Sequence, residues 1–196
     1  MPQAWISRAR RAFPALMAVL VLAAPFFAQP AKKPRTLQST KPELRLEGFE
    51  AYKALRAGSK LKDLEWRFLG PTNVSGRVTD VAVVAPKGRS YTVFVASASG
   101  GVWKTVNEGT TWTPVFEGQA TAAVGDIALA PSDPNVVWVG TGEHNIFRSS
   151  QAGLGVYKST DGGATWAHMG LADTNTVSRI VVHPADPDVV YVAAGG

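Results

Sequence analysis

The stretch that most limits what this chain can fold into is Ser159-Thr160-Asp161-Gly162-Gly163-Ala164-Thr165-Trp166, entered from Gly155-Val156-Tyr157-Lys158. Asp-Gly-Gly between two β-prone runs predicts a hairpin, because glycine accepts positive φ without steric cost. Asp161 can fold its carboxylate back onto the open N–H groups of such a turn. Trp166, on the outgoing strand, carries a large apolar surface that needs a neighbour. The same arrangement stands earlier as Thr105-Val106-Asn107-Glu108-Gly109-Thr110-Thr111-Trp112, behind Gly101-Val102-Trp103-Lys104. The two tryptophans lie 54 residues apart. Two aligned copies are a repeat, and a repeat dictates architecture.

Longer units surround the hairpins. Val78 to Pro86 leads to Tyr91–Ala96, Val124 to Pro131 leads to Asn135–Gly140, and Val177 to Pro184 leads to Asp188–Ala193. Their starts are 46 and 53 residues apart, and each first strand ends at a proline, which a sheet interior does not accept. Each unit reads as strand, proline turn, strand, loop, strand, Asx-Gly hairpin, strand. Four antiparallel strands per 40–55 residues predict a propeller blade. The expected fold is therefore all-β, a partial β-propeller of about two and a half blades. A ring closes with roughly four to eight blades, so the chain reads as a fragment of a longer protein.

The spacing Ser/Thr-x-Asx-x-Gly-x-Thr-Trp resembles the Asp-box of BNR-repeat proteins, among them sialidases, xyloglucan-cleaving propellers and the sortilin ectodomain. Thr105, Asn107, Gly109 and Trp112 match it in the first copy, and Ser159, Asp161, Gly163 and Trp166 in the second. The resemblance implies that these residues staple the fold on the face opposite the binding site. Over residues 66–196 the chain is similar to large exported bacterial BNR proteins, often called glycosyl hydrolases or sortilin-like. The matching runs are Gly70-Pro71, Ser75-Gly76-Arg77, Ala98 to Thr105, Trp138 to Glu143 and Val156 to Ser159.

Residues 1–28 read as an export signal: Arg8, Arg10 and Arg11 precede an apolar run from Ala12 that ends at Ala28. That run is short for a membrane span and carries Pro14 and Pro25, although an uncleaved anchor is the alternative. Residues 29–65 read as a linker with a short helix near Glu43–Ala57, on the pattern Leu44, Leu46, Phe49, Tyr52, Leu55. The formal charge of +5 comes from these segments. Lys plus Arg number 3, 9 and 8 over residues 1–28, 29–62 and 63–196, against 0, 3 and 12 Asp plus Glu, so the repeat region carries 8 − 12 = −4. A nucleic-acid partner would need the positive charge on the folded part. The chain has no cysteine, and His144, His168 and His183 share no metal-ligand spacing, so no metal or cofactor is expected. After signal cleavage no membrane association is expected.

In a blade wired this way, the start of the first strand and the loop between second and third strands share one face. That face receives Arg77, Asp80, Asp126, Ser178, Arg179 and the loop from Gly140 to Gly155. Val139 to Tyr157 spans 18 positions where Val95 to Trp103 spans 8, so the second blade carries ten extra residues. They include Glu143, His144, Asn145 and Arg148, and a long polar loop on a rigid scaffold suits recognition, or the covering of a blade edge. Arg77 and Arg179 could clamp an anion, or pair with Asp80 and Asp126. A glycosidase needs two carboxyls across the scissile bond, and Asp80, Asp126 and Glu143 are the candidates. In the xyloglucan-cleaving propellers a catalytic aspartate stands two residues before the Gly-Gly of this loop, a position that Ala98 fills here. The sequence thus leaves two readings: an exported propeller that binds peptide, protein or glycan, and a glycoside hydrolase, sialidase- or xyloglucanase-like, whose catalytic carboxyls lie largely in further blades.

Overall fold

The computed structural model describes residues 41–64, 77–84, 91–145 and 150–195. The chain divides into two compact units, Met1–Gln38 and Ser39–Gly196, and all described residues belong to the second. The expected signal, the Trp66 start of the repeat region and the Gly70–Gly76 run lie outside the described residues.

Helix α1 (Pro42–Gly58) starts with proline in its first turn, where a missing N–H costs nothing, and closes with Arg56 in its last turn. It holds no buried residue and takes no part in the core. The strands follow: β1 (Val78–Val83), β2 (Val93–Ser97), β3 (Gly101–Thr105) and β4 (Thr113–Pro114) form one antiparallel sheet in that order. β5 (Val124–Leu129), β6 (Val137–Thr141), β7 (Val156–Ser159) and β8 (Ala167–His168) form a second with the same order. β9 (Thr176–Val182) and β10 (Val190–Gly195) pair alone. β1 lies against β5 and β5 against β9, which sets the first strands of successive sheets side by side. These are propeller blades, two complete and one of two strands, and the sheets do not close into a ring.

Alternation along the strands decides which neighbour each side chain meets. Phe94, Ala96, Val102 and Phe116 of the first blade pack with Ile127, Val137, Val139 and Tyr157 of the second. From the other face of the second blade, Ala130, Val136, Trp138 and Val156 pack with Val177, Ile180 and Val182 of the third. The core is therefore not inside any blade but between blades. Phe116 stands edge-on to both Tyr157 and Trp166, at 5.3 and 5.1 Å between ring centres.

The two Asx-Gly turns share one wiring. Ser159 Oγ accepts the Gly163 N–H at 2.8 Å, as Thr105 Oγ1 accepts that of Gly109 at 2.9 Å. Asp161 Oδ1 accepts the Thr165 N–H at 2.8 Å, as Asn107 Oδ1 accepts that of Thr111 at 2.9 Å. The hydroxyl at the first position thus carries as much of the turn as the Asx residue. Thr165, through its hydroxyl and its N–H, and then Ser159 hold the Asp161 carboxyl down to about 2. A depressed acid contributes stability that is complete above the ordinary value near 4 and is lost as pH falls towards 2. Asp161→Asn should therefore leave stability near pH 7 little changed while flattening the acid limb of a urea-stability profile between pH 4 and 2. Wild-type acid sensitivity in the variant would contradict the assignment.

The tryptophans differ. Trp166 crosses to the first blade, meeting Phe116 edge-on and donating its indole N–H to the Val115 carbonyl at 2.7 Å. Trp112, expected to play the same part, is 41% exposed. The equivalence holds in sequence but not in packing, because among the described residues no blade stands behind the first.

Candidate functional site

Each first strand carries a β-bulge at one equivalent place. The register shifts between Val78 and Asp80 in β1 and between Val124 and Asp126 in β5, and opposite Ala193/Ala194 it shifts between Val177 and Arg179 in β9. A bulge re-aims the side chain that follows it. Here the re-aimed residues are Asp80, Asp126 and Arg179, and each aspartate reaches the next blade. Asp80 Oδ2 accepts the Ile127 N–H at 3.4 Å, and Asp126 Oδ2 accepts the Ile180 N–H at 2.7 Å. The backbones behind them come close, since a Cβ on Gly125 would stand 2.0 Å from the Val177 carbonyl oxygen.

Asp126 is buried beside the Asp80 charge, and Arg179 Nη1 approaches its Oδ1 at 3.5 Å. Burial first, and then the Asp80 charge, push the Asp126 carboxyl up to about 6, against the Ile180 N–H and Arg179, which pull it down.

Glu143, just past β6, is buried, with only 1% of its side chain exposed. Arg77, just before β1, donates from Nε to Oε1 at 2.9 Å and from Nη2 to Oε2. This fork joins the first blade to the second and, despite burial, holds the Glu143 carboxyl below the ordinary range. Ser150 Oγ adds a bond to Oε2 at 3.3 Å. The expected partner of Arg77 was Asp80; the structure gives it Glu143, because Asp80 is already turned towards the second blade. Arg179 does pair with Asp126, as one of the two expectations had it. Each of the two arginines is paired with a carboxylate of its own.

The loop between β6 and β7 is less of a loop than its length suggests. Thr141 Oγ1 donates to the Gly155 carbonyl at 2.6 Å and accepts the Leu154 N–H at 2.7 Å, and Leu154 is buried. Gly153 donates to the Asn175 carbonyl at 2.7 Å, and Arg45 of α1 donates to the Gly153 carbonyl at 2.9 Å. Both limbs therefore belong to the scaffold. His144, Asn145, Ser150 and Gln151 are the exposed polar residues between them, and Arg148 lies outside the described residues. Ala98 is buried, its N–H donating to the Arg77 carbonyl at 2.9 Å. Sequence reasoning missed Thr141 and Leu154, and only the apolar leucine amid polar neighbours hinted at a buried return.

Two solved structures are similar in part. An ancestral GH74 enzyme matches with a TM-score of 0.48 at 24% identity, over 61% of this chain and 14% of its own. A GH74 enzyme of Niastella koreensis matches with a TM-score of 0.40 at 25% identity, over 54% of this chain and 16% of its own. The chain thus spans less than a fifth of the length of either enzyme. No protein-family model and no curated protein matches the chain.

Proposed function

We propose that this chain supplies the opening blades of an exported Asp-box (BNR) propeller that engages a glycan, in the manner of glycoside hydrolases of that architecture. Within it, residues 1–28 act as the export signal, 29–65 as a linker with its helix, and 66–196 as the first part of the propeller. The carboxylates of these blades hold neighbouring blades together, and hydrolysis by the whole protein draws its acid and base from other blades. One observation carries the reading. Each candidate carboxylate on the face is spent on a clasp: Glu143 on Arg77, Asp80 on Ile127, and Asp126 on Ile180 and Arg179. What remains for a ligand is the exposed segment with His144 and Asn145, together with Arg148.

The same observation favours a second reading, a propeller that captures peptide or protein within its ring without hydrolysis. One experiment separates them. The exported chain should begin near Gln29, turn over no aryl glycoside, and retain oligosaccharides on a glycan array, with retention lost when the segment between Gly142 and Gly153 is shortened. Retention of peptides but no glycan selects the second reading. Turnover by this chain that Glu143→Gln abolishes would overturn both and make Glu143 catalytic.

A further inference from the structure

The turn between first and second strands follows one plan in the second and third blades, and the third adds something to it. Ala130-Pro131-Ser132-Asp133-Pro134-Asn135 joins β5 to β6, and His183-Pro184-Ala185-Asp186-Pro187-Asp188 joins β9 to β10. Asp133 Oδ1 accepts the Asn135 N–H at 2.9 Å, as Asp186 Oδ1 accepts that of Asp188 at 2.9 Å. The Asp133 carbonyl accepts the Val136 N–H at 3.0 Å, as the Asp186 carbonyl accepts that of Val189 at 3.3 Å. Ala130 and His183 each donate a backbone N–H across the turn, to the Val136 and Val189 carbonyls at 3.0 and 2.8 Å. With alanine at its head in one blade, the turn needs no histidine to form.

What His183 adds is an acceptor. Its Nδ1 accepts the N–H of Ala185 at 3.3 Å and that of Asp186 at 3.1 Å. A backbone N–H only donates, so Nδ1 carries a lone pair and the ring proton sits on Nε2. The second blade grips this braced turn. Trp138 Nε1 donates to the Pro187 carbonyl at 3.0 Å, while Lys158 lies 5.3 Å over the Trp138 ring and pairs with Asp188. At the matching place in the first seam, Phe94 has no N–H to give and Lys104 donates to the Gly162 carbonyl at 2.8 Å. That clasp ends on a carbonyl, which acid does not titrate.

Histidine is the side chain that takes up a proton between about pH 5 and 8. With both ring nitrogens protonated it only donates, so it drops both N–H groups. The anions on its own turn are Asp186, which holds the Asp188 N–H, and Asp188, which holds Lys158 of β7. At the other end of the same seam stand Asp126 and Arg179. We propose that the turn from His183 to Asp188 is a proton-operated latch on the seam between the second and third blades. With His183 neutral the turn is braced and holds Trp138 and Lys158; with His183 protonated it loosens and releases them. The latch lies at the end of the seam away from the candidate ligand segment, because successive turns of an antiparallel sheet alternate between its two ends.

The test is hydrogen exchange of the indole N–H groups, followed by NMR on the chain carrying isotope-labelled tryptophan. It is run in the Asp126→Asn background, which takes the buried carboxyl of this seam out of the titration. The Trp138 signal is assigned by its loss in Trp138→Phe. After correction for intrinsic exchange, protection of Trp138 should fall about fivefold between pH 8 and pH 5, the equivalent of one ordinary hydrogen bond. Trp166, bonded to the Val115 carbonyl in the first seam, should not change. His183→Ala, which copies the second blade's turn, should show the low protection at every pH. His183→Asn keeps an acceptor oxygen that does not titrate, and should hold Trp138 protected throughout. Protection of Trp138 that ignores pH while His183 is present would overturn the proposal. So would a fall that persists in His183→Ala, or an equal fall at Trp166, which would mean that the whole fold loosens.

Discussion

Trp166→Ala should destabilise the folded chain by about 3 kcal/mol at most, the bottom of the range for fully buried aromatics, because the ring is half-buried against the core. Three losses combine. The indole leaves a cavity against Phe116 and Val115, its N–H no longer satisfies the Val115 carbonyl, and the edge-on contact with Phe116 disappears. All three lie between the blades, so the loss should be cooperative rather than confined to the second blade. Trp112→Ala, at the matching position of the first turn, should cost about 1 kcal/mol, because that ring is 41% exposed and no second blade packs on it among the described residues. Urea unfolding followed by the fluorescence of the remaining tryptophans measures both. Equal costs would mean that the staple, not the seam, sets the value, and that the inter-blade role of Trp166 is wrong.

The second large effect concerns Asp126. Asp126→Ala should cost about 1–3 kcal/mol, since it strands the Ile180 N–H in a buried seam. Asp126→Asn should behave differently, because an amide oxygen still accepts that N–H and carries no charge beside Asp80. The sign follows from linkage. The folded carboxyl is raised to about 6, chiefly by burial, so the folded state holds its proton more tightly than the unfolded chain does. That contribution is complete below the ordinary value near 4 and is lost as pH rises through 6. The parent should therefore lose stability between pH 4 and 7, and the Asn variant should not. At pH 8 Asp126→Asn should equal or exceed the parent in urea midpoint. A variant markedly weaker at pH 8 would show that the ion pair with Arg179 outweighs the cost of the buried charge.

Much of this was legible in the chain itself. Asx-Gly turns followed by tryptophan, prolines ending each first strand and a recurring spacing are local signals, and a hairpin needs only local chemistry. Strand order, the antiparallel sheets and the helix over Pro42–Gly58 all follow from such signals. Alternation also marked which residues would be apolar. What it left open was their neighbours, since a blade offers two apolar faces and the sequence does not say which is covered. Trp112 and Trp166 occupy one sequence position and two environments for that reason.

The candidate site divides in the same way. The sequence by itself determined the face: residue types, the ten-residue excess between Val139 and Tyr157, and the placing of Asp80, Asp126 and Arg179 at one repeat position. Only the tertiary structure decided what those charges do. Arg77 and Glu143 are 66 residues apart, and Asp126 and Ile180 are 54 apart, so neither pairing leaves a local trace. A bulge of one residue in each first strand turns the aspartates into the seam, and the geometry of the backbone, not the type of residue, makes them clasps.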